Sequence, residues 1–270
     1  MSSPKRPIAF ILASTDHGAM IVNRFDYKMT APNTGYGVGY MLLTQSSYDL
    51  DEAAMIKTLL ETRRKHFGDG VVALDIGANI GVFTVEWARH MSGWGHVVGI
   101  EAQERVFYAL AGNIAVNNCF NAQAIFAAVS STNGEMRVPV LNYFQPASFG
   151  SLELRQRAGT EEIGQPIDYS PDRTVSVRTL SIDSLGLPRL DLMKVDVEGM
   201  EVEVLEGARQ AIARHLPILY IENMKTDTAA LMTYLSDYGY KIFNAGMNVL
   251  AIHPGDPTVQ IVRENPAPVA

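Results

Sequence analysis

Short apolar runs alternate with amphipathic segments over most of the chain. The runs predict strands at 71–74, in the segment that ends with Glu101, and at 122–130, 190–197 and 217–222. Between them, apolar residues recur at helical spacing and predict helices over 80–91, 104–118, 201–215 and 226–238. Weakly charged strands that alternate with helices are typical of a parallel sheet covered on both faces. Two closing strands, at 240–244 and 249–253, are joined by a short turn and predict an antiparallel pair.

The N-terminal part of the chain does not follow this alternation of strands and helices. Segments 7–14 and 19–27 predict a β-hairpin, 31–40 predicts a loop, and 49–67 predicts an amphipathic helix with acids in its first turn. We therefore predict a single domain over 1–270, made of an extension at 1–69, a core at 70–254 and a tail at 255–270.

The middle of the chain is the least regular part. Segments 135–140 and 175–179 alternate between apolar and polar residues and predict strands. Segment 157–173 is polar and contains glycine and proline, which predicts a mobile surface loop.

A glycine-rich turn follows the first core strand. Gly77 and Gly81 permit backbone angles and close approaches that a Cβ would prevent. Glu101 ends the next strand about twenty residues further on, where an acid can accept hydrogen bonds from two ribose hydroxyls. Three small apolar residues are expected beside the base: Ala102, Ala128 and Val129. The segment therefore predicts a nucleoside-binding βαβ unit.

The residues of the turn distinguish between nucleoside ligands. A dinucleotide site uses G-x-G-x-x-G to seat a pyrophosphate on bare amides, whereas this turn is D-x-G-x-N-x-G. Asp75 would repel a pyrophosphate, and Asp75 and Asn79 suit a cationic ligand without phosphate. S-adenosylmethionine fits, and Gly77 and Gly81 would admit its amino-acid end. A nucleotide-dependent oxidoreductase and a non-catalytic adenosylmethionine-binding module are the alternatives.

A second polar cluster ends a central strand. Lys194, Asp196 and Glu198 fall at the end of the strand predicted at 190–197, and Glu222 ends the next strand. The carboxyl ends of parallel strands face one crevice, so these groups are expected to share it with the glycine turn. Because buried charges need partners, an ion pair from Lys194 to Asp196 or Glu198 that only orders the strand end is the alternative to a direct role.

Together the two motifs resemble those of the FkbM-type methyltransferases. The resemblance rests on DIGANIG at 75–81, KVDVEGME at 194–201 and LEGA at 205–208, and it covers roughly 70–253. It implies the class I methyltransferase fold, a Rossmann-like three-layer α/β sandwich with a mostly parallel seven-stranded sheet. It also implies S-adenosylmethionine as methyl donor and O-methylation of a hydroxyl on a sugar, a glycan or a polyketide-type natural product.

Methyl transfer from a sulfonium is an in-line displacement, so the protein must align the acceptor oxygen and remove its proton. Asp196 is the first candidate for the general base and Glu198 the second, and Lys194 would hold whichever acid is not the base. A divalent cation that lowers the pKa of the hydroxyl is an alternative, with Asp196 and Glu222 as candidate ligands. It is not favoured, because no His or Asn completes the set.

Composition limits the partners. The 270 residues are 47% apolar, enough for one core, and a net charge of −7 with scattered Lys and Arg argues against nucleic acid. Cys119 is the only cysteine, which suggests a reducing compartment. No stretch reaches membrane-spanning length. We expect a cytoplasmic protein that acts on a small-molecule or glycan hydroxyl, with its N-terminal hairpin as a candidate homodimer element and His17 as a solvated turn residue or an accessory base.

Overall fold

The computed structural model describes residues 7–264. Its N-terminal part contains small antiparallel hairpins and helices: β1 (Phe10–Thr15), β2 (Gly18–Asn23), β3 (Lys28–Ala31), β4 (Thr34–Tyr36), α1 (Val38–Gln45) and α2 (Leu50–Phe67). The hairpin predicted for 7–27 and the helix predicted at 49–67 are both present.

The prediction of a loop at 31–40 is wrong, because β4 and the start of α1 occupy most of this segment. Asp26 is buried near the start of α1, and its Oδ2 accepts a hydrogen bond from the Gly39 N–H at 2.8 Å. An acid outside the segment thus satisfies an amide in the first turn of the helix. Segment 31–40 itself contains no such signal.

The rest of the chain alternates strands and helices more regularly. The elements are β5 (Val71–Ile76), α3 (Val82–His90), β6 (Gly95–Glu101), α4 (Glu104–Val116), β7 (Ala122–Phe126), β8 (Ala128–Val129), β9 (Gly134–Pro139), β10 (Thr174–Leu180), β11 (Leu192–Val195), α5 (Glu201–Glu206), α6 (Arg209–His215), β12 (Ile218–Glu222), α7 (Thr228–Asp237), β13 (Lys241–Ala245), β14 (Asn248–Ile252) and α8 (Thr258–Glu264). Helix α8 falls in the predicted tail, and residues 265–270 lie outside the described part.

The main sheet, as far as residues 7–264 show it, has seven strands in the order β13-β14-β12-β11-β5-β6-β7. Neighbours from β12 to β7 are parallel, whereas β14 runs antiparallel to both β12 and β13. A mostly parallel sheet with an antiparallel C-terminal pair is the predicted class I methyltransferase arrangement, so the predicted fold class is confirmed.

Both faces of the main sheet are buried. Leu74 and Ile76 of β5 belong to one apolar cluster, which includes residues of α5, α6 and α7. Val71 and Ala73 belong to the opposite cluster, which includes residues of α2 and α3. Successive side chains of a strand point to opposite faces, so this division follows from the strand's period of two. The result is the expected three-layer sandwich.

The strand predicted at 122–130 is divided between two sheets. Its first half is β7 at the edge of the main sheet, and its second half is β8, which pairs in parallel with β10. Strand β10 in turn pairs antiparallel with β9, so that the three strands form a smaller sheet beside the main one. Apolar content alone does not distinguish a single strand from one that changes sheets.

Two further expectations are wrong in detail. The helix predicted at 201–215 is interrupted between α5 and α6, where Asp183 replaces helical hydrogen bonds: its N–H donates to the Gly207 carbonyl, and its carboxylate accepts from the Gln210 and Ala211 N–H groups. The surface loop predicted at 157–173 contains Ile163, which is fully buried in an apolar cluster that also includes Met20 and Leu42 of the N-terminal extension. None of the helices between residues 7 and 264 combines the length and apolar character needed to cross a bilayer.

Candidate functional site

A cavity of about 580 Å³ lies at the carboxyl ends of β5, β6, β11 and β12. The turns that follow these strands form one side of it. The other walls come from segments distant in sequence: 36–49, 148–161 and 222–225. Ligands of open parallel sheets bind at this end of the strands, so the cavity is the candidate active site.

Gly77 stands where the chain leaves β5, and it has no space for a side chain. Its φ is 76°, and a Cβ would lie 1.7 Å from the carbonyl oxygen of Asp196. The N–H groups of Gly77 and Ala78 both donate to the Ile100 carbonyl at 3.0 Å. The turn is therefore held between the ends of β6 and β11, and its backbone lines the cavity.

Gly81 and Asp75 support this turn and are not among the residues that line the cavity in the described structure. A Cβ on Gly81 would lie 2.4 Å from Leu110 Cδ1, so this glycine lets α3 pack on α4. Asp75 is 1% exposed, and its Oδ2 accepts a hydrogen bond from the Thr84 hydroxyl at 2.6 Å. Burial raises the pKa of Asp75. Ligand contact by Gly81 or Asp75 stays a prediction.

Glu101 presents a fixed carboxylate to the cavity. Its Oε1 accepts a hydrogen bond from the Gln103 N–H at 2.7 Å, and its Oε2 accepts one from the Asn79 N–H at 3.0 Å. Burial raises the pKa of Glu101 to about 7. Two backbone amides hold the group in one orientation, and a carboxylate has further lone pairs for ligand hydroxyls.

Beside Glu101 the cavity wall is apolar and closely packed. Ala102, Ala128 and Val129, the residues expected beside the base, all line it and are buried. Gln103 also lines it and was not predicted: its Nε2 donates to the Phe149 carbonyl at 2.8 Å, and its Oε1 accepts from the Tyr143 hydroxyl at 3.1 Å. Its position directly after Glu101 and Ala102 is the sequence feature from which its place in the cavity wall could have been predicted.

Lys194 and Asp196 form a buried ion pair at the end of β11. The Lys194 Nζ lies 2.8 Å from Asp196 Oδ2, and the lysine side chain is 5% exposed. Burial opposes the charge of Lys194, but the carboxylates of Asp196 and Asp75 outweigh it and raise the lysine pKa. The predicted pairing of Lys194 with one of the two acids is present, and the acid is Asp196.

Glu198 is paired with a residue that the sequence did not single out. Its Oε2 accepts a hydrogen bond from Lys225 Nζ, and both side chains are nearly buried. The backbone of Glu198 is left-handed, with a φ of 57°. Such a conformation costs about 1–3 kcal/mol in a residue other than glycine and is found most often at functional sites.

The fully buried Glu201 holds the loop that bears Asp196 and Glu198. Its Oε1 accepts hydrogen bonds from the Val197 N–H at 3.2 Å and the Gly199 N–H at 3.0 Å. The loop is therefore tied to the first turn of α5.

Three carboxylates meet at this end of the cavity. One ligand oxygen from each of Asp196, Glu198 and Glu222 lies within 4.8 Å of the others. The structure thus brings together the two predicted metal ligands and both predicted bases. Such a group needs cations nearby, and Lys194 and Lys225 each bind one of these acids.

The N-terminal extension supplies part of the cavity wall through Tyr48 and Asp49. The expectation that His17 is solvated is wrong. His17 is fully buried, its Nδ1 lies 3.0 Å from Glu86 Oε1, and its Nε2 accepts a hydrogen bond from the Tyr48 N–H at 2.9 Å. With both ring nitrogens occupied, His17 positions the cavity wall and is not free to act as an accessory base.

The chain is similar to several solved structures and to one family profile. No curated protein matches the chain. A methyltransferase FkbM structure from Methylobacillus flagellatus KT has 18% sequence identity and a TM-score of 0.48, over 68% of this chain and 43% of that one. The chain therefore spans less than half the length of that protein.

Two further structures cover more of their own length. A precorrin-6y C5,15-methyltransferase from Geobacter metallireducens GS-15 has 14% identity and a TM-score of 0.44, over 75% of this chain and 86% of that one. A methyltransferase from Geobacter sulfurreducens has 12% identity and a TM-score of 0.45, over 78% and 84%.

The family comparison is the decisive one. The profile described as "Methyltransferase FkbM domain" matches residues 75–242, more than half of the chain. The match begins at Asp75, in front of the glycine turn, and includes Glu101 and the three clustered carboxylates. The chain belongs to the FkbM methyltransferase family.

Proposed function

We propose that this protein is an S-adenosylmethionine-dependent O-methyltransferase that acts on a hydroxyl of a sugar, a glycan or a polyketide-type natural product. The observation that supports it most directly is the Glu101 carboxylate, which two backbone amides fix beside the glycine turn. The three clustered carboxylates line the same cavity. Glu101 would bind the ribose, and one of the clustered carboxylates would remove the proton, within the same cavity.

The chemistry of the cavity suits this donor. S-adenosylmethionine supplies a methyl group that its sulfonium charge already activates. Gly77, Asn79, Glu101, Ala102, Ala128 and Val129 would hold the donor, with Asp75 and Gly81 behind them. A pyrophosphate would meet buried acids and would find no unpaired lysine among the described lining residues, so the electrostatics disfavour a dinucleotide.

Methyl transfer then requires alignment and a base. The protein would hold the acceptor oxygen in line with the methyl carbon and sulfur and take the hydroxyl proton onto a carboxylate. The carboxylates in position are Asp196, Glu198 and Glu222. Lys194 orients Asp196 and Lys225 orients Glu198.

The charges around the cavity also restrict the acceptor. Outside the donor end, the described lining includes five acids and two lysines: Asp49, Glu161, Asp196, Glu198, Glu222, Lys194 and Lys225. Both lysines bind acids, so an acceptor with a phosphate or carboxylate would be repelled. Met224 and Met247 line the cavity while 61% and 64% exposed, and they offer apolar contact at its entrance. An uncharged or cationic hydroxyl compound fits these surroundings.

A divalent cation stays an alternative that we do not favour, because lysines already bind two of its three candidate ligands. A cytoplasmic location and a homodimer formed through the β1–β2 hairpin also stay predictions.

Calorimetry with adenosylhomocysteine and NAD tests the proposal without knowledge of the acceptor. We expect adenosylhomocysteine to bind and NAD to show no heat at the same concentrations. Preference for NAD would contradict the proposal and favour the oxidoreductase alternative. Transfer of a labelled methyl group to a panel of neutral, cationic and anionic hydroxyl compounds would then separate an enzyme from a binding module.

A further inference from the structure

The three carboxylates that meet in the cavity differ in their partners. Asp196 receives the Lys194 ammonium at 2.8 Å, and Glu198 receives the Lys225 ammonium. Lys225 Nζ also lies 2.7 Å from Glu161 Oε2 and donates a hydrogen bond to the Ser151 carbonyl at 3.2 Å. Two of the three acids are therefore held by cations that the fold itself provides.

Glu222 has no such partner. Within residues 7–264 neither of its carboxylate oxygens accepts a hydrogen bond, and its Oε2 is buried. Its backbone is fixed by the pairing of β12 with β14, where Glu222 lies opposite Asn248. The sheet thus presents this acid to the cavity with its hydrogen-bonding capacity unused. A buried polar atom left in this state calls for an explanation.

The charged groups around Glu222 leave its carboxylate accessible to a ligand. Lys194 and Lys225 are the two lysines that line the cavity in the described structure, and they bind Asp196 and Glu198. Among the described residues, neither lysine forms an ion pair with Glu222. An acceptor hydroxyl can therefore donate a hydrogen bond to Glu222 without displacing an ammonium group.

We propose that Glu222 is the general base, the carboxylate that accepts the proton of the acceptor hydroxyl. This proposal rests on the proposed methyltransferase function. A lone pair of the acceptor oxygen forms the new bond to the methyl carbon while the carbon–sulfur bond breaks and its electrons return to sulfur. The hydroxyl proton passes to Glu222. The products are the methyl ether, adenosylhomocysteine and protonated Glu222, which then releases its proton to water.

Asp196 and Glu198 are positioning residues in this arrangement. With Lys194 and Lys225 they form the walls between which the acceptor oxygen is placed. Asp196, the first candidate from the sequence, is therefore replaced as base by the acid that ends the neighbouring strand.

The test uses a donor analogue and needs no acceptor. Sinefungin resembles S-adenosylmethionine but has an amine in place of the transferred methyl group. Its ammonium group therefore occupies the position of the methyl, and its affinity reports on the carboxylates beside that position. Calorimetry would give the ratio of its affinity to that of adenosylhomocysteine for the wild type, Glu222→Gln and Asp196→Asn. Glu206→Gln, an exposed change on α5, is the matched control.

We expect the wild type and the control to prefer sinefungin. In Glu222→Gln this preference should fall by about 10- to 100-fold, which is the effect of losing one charged hydrogen bond. The affinity of this variant for adenosylhomocysteine should be unchanged. Asp196→Asn should lose less of the preference. Glu222→Asp keeps the charge on a shorter side chain and should retain part of the preference, so it serves as a second variant if Glu222→Gln folds poorly.

Three results would overturn the proposal. If Glu222→Gln keeps the wild-type ratio, or if Asp196→Asn loses more, the base is another residue while the methyltransferase function stands. If even the wild type fails to bind adenosylhomocysteine, both proposals fall.

Discussion

Lys225 Nζ lies 2.7 Å from Glu161 Oε2, and this ion pair joins the loop after β12 to the segment on the opposite wall of the cavity. The Tyr36 hydroxyl donates to the other oxygen of Glu161 at 2.6 Å. A single acid thus connects the N-terminal extension, the long loop before β10 and the carboxyl end of the main sheet. These walls are expected to act as one unit.

Replacing Lys225 by Met should loosen this unit. The change leaves Glu161 and the nearly buried Glu198 without their cation, so the free energy of unfolding should fall by about 2–3 kcal/mol. Urea denaturation would measure it, and limited proteolysis should cut the loop containing Glu161 faster. Lys28→Met removes an ion pair to the exposed Glu162 of the same loop and should cost less than about 1 kcal/mol. Equal losses in the two variants would contradict the assigned role of Lys225.

Replacing Glu101 by Gln should weaken binding of adenosylhomocysteine. Loss of a charged hydrogen bond to a ribose hydroxyl reduces affinity by about 10- to 100-fold. Because burial raises the pKa of Glu101 to about 7, the wild-type affinity should also increase as the pH rises through 7 and the carboxylate forms. Calorimetry at several pH values would show both effects, with Glu104→Gln as the control. A variant with wild-type affinity would remove Glu101 from the donor site.

Glu86 should contribute stability that disappears in acid. Burial opposes its ionisation, but hydrogen bonds from His17 and Lys57 outweigh burial and lower its pKa to about 2, against 4.5 for an ordinary Glu. The folded state therefore gains about 3 kcal/mol above pH 4.5, and it loses this gain as the pH falls from 4.5 to 2.

Urea denaturation from pH 6 to pH 2 would test this prediction. Glu86→Gln should be less stable than the wild type at pH 6 and should show a flatter decline with acid. Glu61→Gln, at a 62% exposed side chain, is the control. Parallel pH curves for the wild type and Glu86→Gln would count against the assignment.

Magnesium should have little effect on this protein. Lys194 and Lys225 already bind two of the three clustered acids, so a divalent cation would have to compete with two ammonium groups. Millimolar MgCl2 should leave the Tm unchanged, and a chelator should leave methyl transfer unchanged. A rise in Tm that vanishes in Asp196→Asn would instead reveal a metal site.

Gly77 should tolerate no side chain. In Gly77→Ala the left-handed backbone strain adds to overpacking against the Asp196 carbonyl, and the two together should cost about 2–5 kcal/mol. Gly93 has a similar φ of 83° but nothing within 4 Å of an added Cβ, so Gly93→Ala isolates the strain, about 1–2 kcal/mol. Thermal unfolding of both variants would measure the difference. Equal Tm values would show that the contact with Asp196 can relax.

Each of the predicted elements and motifs is indicated by a short, continuous stretch of the sequence. Strand β5, the glycine turn and Glu101 fall within one βαβ unit, where apolar runs, a turn and an acid follow each other in order. The clustered acids could be placed because parallel strands end at the same edge of a sheet. For such features, chain order and strand period suffice.

The remaining features depend on contacts between distant segments. Lys225 and Glu161 lie in irregular loops, and nothing in either loop indicates the other. His17 has the sequence context of an exposed hairpin turn, yet it is buried because Glu86 and Tyr48 supply partners for both ring nitrogens. The division of 122–130 between β7 and β8 likewise depends on β10.

This division has a consequence for evolution of the enzyme. The proposed adenine wall at Ala128 and Val129 belongs to the small sheet of β8, β9 and β10, not to the seven-stranded one. Under the proposed function, the residues beside the nucleobase and the residues that supply the clustered acids therefore belong to different sheets. Substitutions that alter the fit of the base would fall mainly in the small sheet, and substitutions that alter the acids would fall at the ends of the parallel strands.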